Sequence, residues 1–77
     1  MNNERRKDLE MAILLLEQAK ASIEMVQDQE QDSYDNLPEG IQCSEKGETM
    51  ENNVSEMEEV MDSIDTEIET LQKIIGT

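Results

Sequence analysis

The 77-residue chain has no histidine, tryptophan or phenylalanine, and only one cysteine, one proline and one tyrosine. Each shortage removes a class of function. Without histidine, the commonest general base and most transition-metal sites are lost. A single thiol, Cys43, allows no internal disulfide. Its nearest basic neighbour in sequence is Lys46, so nothing marks it as a reactive thiol. Cations are also scarce: 6 against 20 acidic residues, a net charge of −14. Phosphate binding needs Lys and Arg, so the composition argues against direct contact with nucleic acid and against anionic membrane surfaces, and for basic partners. The longest apolar run, Met11 to Leu16, is too short for a membrane span or a signal-peptide core. The opening stretch MNNERRKDLE adds no apolar segment, and the expected location is the cytoplasm.

What is present is periodicity. Low aromatic content with high charge is also the composition of disordered chains, but this sequence keeps a strict apolar register. From Met50 onward, apolar residues fall at Met50, Val54, Met57, Met61, Ile64, Ile68, Leu71 and Ile75. Alternating steps of four and three are the seam of a packed helix, predicted here over residues 45–75. Val60 and Ile74 widen the seam on one flank. The first half, predicted helical over about 3–35, places Leu9, Ala12, Ile13, Leu16, Ala19, Ile23 and Val26 on one face. Met11, Leu14, Leu15, Ala21 and Met25 fall elsewhere, Leu14 about 140° and Leu15 about 240° from Leu9 at 100° per residue. A helix apolar nearly all round is normally buried all round, and one partner helix cannot do that.

The chain's punctuation lies between the stripes, in DNLPEGIQCSEKGE (residues 35–48), which holds the only proline and two of three glycines. Leu37 precedes Pro38 and is pushed out of the helical region, so the first helix should stop near Asn36. Gly40 is expected in a left-handed conformation, Ser44 as the N-cap of the second helix, and Glu45 and Glu48 in its first turn. Gly47 suggests a close backbone approach, and Leu37 and Ile41 are expected to cap the open end of the pair. A loop over 36–44 between two amphipathic helices gives one domain over 1–77, an all-α antiparallel two-helix hairpin. Facing residue numbers should sum to about 80, as in Val26 with Val54, Ile23 with Met57, Leu16 with Ile64 and Leu9 with Leu71. Arg5 and Arg6 would then meet the carbonyl end of the second helix.

Asp35, Asn36, Leu37, Pro38, Glu39, Gly40, Ile41, Gln42, Ser44, Glu45, Gly47, Glu48, Met50 and Glu51 also carry a resemblance. Over roughly residues 24–72 the chain resembles short acidic proteins encoded in phages and prophages of Gram-positive bacteria, which carry a segment like DNLPEGLQxSExGExME between two helices. The resemblance implies a helical hairpin in a phage or mobile-element setting, with no catalytic residue and no cofactor.

The carboxylates of the second helix could do acid–base chemistry only inside a pocket that perturbs them. With no histidine and no EF-hand spacing, neither enzyme nor metal protein is expected. Met50, Met57 and Met61 at heptad spacing are read as core rather than as an adaptable binding surface. Two surfaces remain. Met11, Leu14, Leu15 and Met25 are expected to form a contact between copies, giving a homodimer or higher oligomer, most simply a four-helix bundle. Glu48, Glu51, Glu58, Asp62, Asp65 and Glu69 form a ladder of negative charge. Such a ladder either keeps the protein soluble or imitates a phosphate backbone to occupy a basic host protein that binds nucleic acid or acts in anti-phage defence. The expected function is non-enzymatic protein–protein interaction, with that mimicry as the alternative. Nucleotide capture ranks below both, because only Arg5, Arg6 and Lys7 are clustered.

Overall fold

The computed structural model describes every residue from Met1 to Thr77. Two long helices, α1 (Asn3–Asp35) and α3 (Glu45–Ile75), flank a single helical turn, α2 (Glu39–Gln42). The Asn2 side chain caps α1 by accepting the Arg5 N–H at 2.8 Å, which satisfies one of the amides that a helix start leaves open. α1 ends at Asn36, as the Leu37–Pro38 step requires.

α1 and α3 lie side by side. Arg6 Nε donates to the Ile75 carbonyl at 3.1 Å, Lys20 pairs with Asp65 at 2.8 Å, Gln27 Nε2 donates to the Val54 carbonyl at 3.1 Å and Asn53 Nδ2 to Glu30 at 3.0 Å. These partners have numbers summing to 81 (6 and 75; 27 and 54), 83 (30 and 53) and 85 (20 and 65), close to the expected register. That is the contact pattern of a helical hairpin. The molecule is a rod, 58 × 15 × 12 Å, with a radius of gyration of 17.5 Å. A compact domain of this length would have about 11–12 Å.

The core is thin. Ile13, Met61 and Ile68 are its buried apolar residues, and no side chain is enclosed completely. Leu9, Leu16, Ile23, Met50, Val54, Met57, Ile64, Leu71 and Ile75 line the seam half-buried. The α3 stripe is therefore the packed one, as its steps of four and three predicted. The α1 seam departs from expectation: Val26 stands nearly half exposed and Gln27 takes the inner place. Besides Ala12, the inner residues of α1 are Arg6, Leu9, Ile13, Leu16, Lys20, Ile23, Gln27, Glu30 and Tyr34, which keep the same three–four steps but include polar members.

The loop differs from expectation in three places. Gly40 is not left-handed; no glycine has positive φ. Pro38 (φ −57) starts a helical turn instead, its carbonyl accepting from Ile41 and Gln42 at 2.9 and 3.0 Å. Ser44 occupies the N-cap position of α3 in extended backbone, but its hydroxyl donates to the Ile41 carbonyl rather than accepting from α3. The open carbonyl at the end of α2 is nearer. Of the two apolar loop residues, Leu37 is half-buried while Ile41 is exposed, because residue 41 belongs to α2 and faces away. Gly47 does mark a close approach. It is buried, and a Cβ there would come within 2.8 Å of Gln42 Cα and closer still to its carbonyl.

Candidate interaction surfaces

The two flanks between the long helices differ in lining, and both carry carboxylates. One flank carries a shallow groove between the long helices, with Ser22, Ile23, Val26, Met57 and Val60 along one stretch, and Leu16, Val60, Ser63 and Ile64 among the carboxylates Glu56, Glu59 and Glu67 along the next. Helix periodicity explains this lining. Taking Leu16 as the inward direction of α1, Val26, Leu15 and Ser22 lie about 80–120° round on one side at 100° per residue. Taking Met61 for α3, Val60 and Glu67 lie on the matching side.

The four side chains expected to meet a second copy, Met11, Leu14, Leu15 and Met25, are each more than half exposed. The structure does not bring all four to one patch. Leu15 lies about 100° from Leu16 on the groove side and Met11 about 140°, further round; Met25 lies about 180° from Leu16, on the back of α1, while Leu14 lines a separate hollow with Ile13, Gln72 and Ile75 near the terminal end. Ala19 completes the groove flank. Val26 and Val60, both nearly half exposed, join it, although Val26 was read as core and Val60 only as the flank of the α3 stripe.

The opposite flank is acidic. Glu58, Asp62 and Asp65 of α3 stand beside Lys20, Glu24 and Gln27 of α1, and Glu51 and Glu69 continue the line at the same helical phase. Glu48 lies further round. Two members are bonded to α1. Asp65 receives both Lys20 bonds at 2.8 Å, and Glu58 accepts from Gln27 at 2.9 Å. The Asp65 hydrogen bond and charge hold the Lys20 ammonium above its ordinary pKa. Tyr34 sits at the loop end of this flank. Interaction with the Glu51 carboxylate, reinforced by desolvation, pushes the phenol up to about 12. The contribution of α1 went unread in the sequence, because Glu24 and Lys20 look like ordinary surface charges until α3 is placed beside them.

No group of three or more acidic or thiol side chains converges closely enough to hold a metal ion. No helix is long and apolar enough to cross a membrane. Cys43 is free and exposed. Compared with protein-family models, curated proteins and solved structures, the chain matches none.

Proposed function

We propose that the chain is a non-enzymatic interaction protein of phage or prophage origin, working in the cytoplasm as an antiparallel helical hairpin that pairs with itself. The observation that carries self-association is the surface the lone hairpin leaves open. Its accessible area is 5636 Å², against about 4,800 Å² for a compact monomer of this mass. The excess is close to the ~800 Å² that each partner buries in a standard interface, and large apolar residues are exposed along it. Pairing across the groove would cover Met11 and Leu15. Leu14, beside Gln72 and Ile75, and Met25, on the back of α1, call for further contacts. Sedimentation equilibrium tests this: a mass at or above twice 8.8 kDa is expected, and a monomer at micromolar concentration would refute it.

A second reading is favoured by the acidic flank. The flank away from the groove presents Glu51, Glu58, Asp62 and Glu69 as an acidic line interrupted at Asp65 by its pairing with Lys20, and a dimer joined through its grooves would keep that line open. Such a line would suit a basic host protein that normally holds DNA or RNA. Affinity capture from host lysate should then retrieve a nucleic-acid-binding protein that competing DNA and salt release, and reversal of Glu58 and Asp62 to Lys should abolish the capture. Retention unchanged by the reversal would leave the charges a solubilising role only.

A further inference from the structure

We propose that the second copy lies head to tail against the first, groove on groove, so that the two loops sit at opposite ends of the dimer. The inference rests on the self-association reading above and adds the arrangement. Charge along the rod carries it. The end bearing the termini, residues 1–9 and 70–77, has Arg5, Arg6, Lys7 and Lys73 against Glu4 and Asp8, a net +2 in side-chain charge. The loop end, residues 28–51, has eight acidic residues against Lys46, a net −7. The rod is 58 Å long, several times the ~8 Å screening length at physiological ionic strength. Each end therefore responds only to what lies beside it. With loops together, −7 would lie against −7. With loops apart, each acidic end lies beside the cationic end of the other copy. Arg5, Lys7 and Lys73 are free for this, since only Arg6 among the four makes a side-chain hydrogen bond within the hairpin.

On the α1 side of the groove, the apolar pattern agrees. Head-to-tail stacking sets α1 against α1 of the partner in reverse. With the two-fold axis near Ala19, Met11 stands opposite Val26 of the partner subunit and Leu15 opposite Ser22 of the partner subunit, bulky residues outside and a small one at the centre. The face that meets is about 58 × 15 Å, or roughly 870 Å², the size of one side of a standard interface.

The unmodified chain supplies the probe. Cys43 is the only thiol, is exposed, and sits at the loop end. Nitroxide labels on Cys43, read by pulsed dipolar spectroscopy, should give a separation of about 45–55 Å, close to the ~46 Å span of α3 at 1.5 Å per residue. Sedimentation of the labelled protein should match that of the unlabelled. A dimer with labels closer than about 30 Å, as helices packed 8–10 Å apart with loops together would give, overturns the arrangement but leaves self-association standing. A monomer overturns both. Leu15→Glu fixes the face: it should abolish the dimer while the circular dichroism stays helical, whereas Leu14→Glu should leave the labelled distance unchanged. The reverse pattern would place the contact on the back of α1 and overturn the proposal.

Discussion

Gly47 gives the sharpest conflict between a local rule and the folded structure. It lies inside α3, where replacing glycine with alanine normally stabilises by about 1 kcal/mol. The structure reverses the sign. The first turn of α3 passes so close to the end of α2 that a Cβ would fall within 2.8 Å of Gln42 Cα and nearer still to the Gln42 carbonyl. Those atoms are backbone and cannot swing aside like a side-chain tip. Relief requires moving α2, which is held by the Gln42 Nε2 bond to the Tyr34 carbonyl at 3.1 Å and by Ser44 on Ile41. Overpacking of this kind costs about 1–3 kcal/mol and sometimes more. Contacts this close with backbone fall at the upper end of that range, so after the propensity gain Gly47→Ala should lose about 2 kcal/mol, lowering Tm by about 8–16 °C in a domain of this size. Gly40→Ala is the internal control. It also lies in a helical turn without positive φ, but nothing stands within 4 Å of its Cβ position, so alanine there should stabilise by up to about 1 kcal/mol. Thermal melts followed by circular dichroism at matched protein concentration check both. A Gly47→Ala protein as stable as the parent would refute the packing of α2 on α3.

Other expectations follow from the same contacts. Met61→Ala, in the thin core, should destabilise by about 2–5 kcal/mol in urea titrations, well above the effect of Thr66→Ala on the exposed side of α3. Asn2→Ala should cost about 1 kcal/mol through loss of the Arg5 N–H bond. Tyr34 ionises late because the fold favours its protonated form. Its contribution is complete below its ordinary value of 10 and disappears as pH rises through about 12. Absorbance titration should place the phenol midpoint near 12, and Glu51→Gln should return it toward 10. A native midpoint near 10 would contradict the Tyr34–Glu51 contact.

The seam of α3 was fully legible in the sequence because its inner positions are apolar at every step from Met50 to Ile75. The seam of α1 was only half legible. Its inner positions keep the same three–four spacing, but Lys20, Gln27 and Glu30 interrupt it, and a reading that follows apolarity drifts to Ala19 and Val26 instead. Those polar residues are tolerated because each finds a partner on α3: Asp65, the Val54 carbonyl and Asn53 respectively. Such pairs resemble the polar seam residues that fix register in coiled coils. The stop at Asn36 and the close approach at Gly47 followed from proline and glycine chemistry. The helical turn of α2 did not, since Gly40 fits a left-handed turn and a helical one equally well and only the hydrogen bonds to the Pro38 carbonyl decide. On the surface, the acidic ladder of α3 was visible, but its junction with Glu24 and Lys20 of α1 depends on the pairing of the helices. The split of Met11 and Leu15 from Leu14 and Met25 depends on knowing which direction of α1 faces inward.

In the proposed arrangement, one hairpin buries too little apolar surface to stand alone and a second copy completes it. The concentration dependence of its unfolding tests this most directly. Melts across a roughly hundredfold range of protein concentration should show the midpoint rising with concentration, because association favours the folded form by mass action. A midpoint that stays fixed across that range would contradict the account.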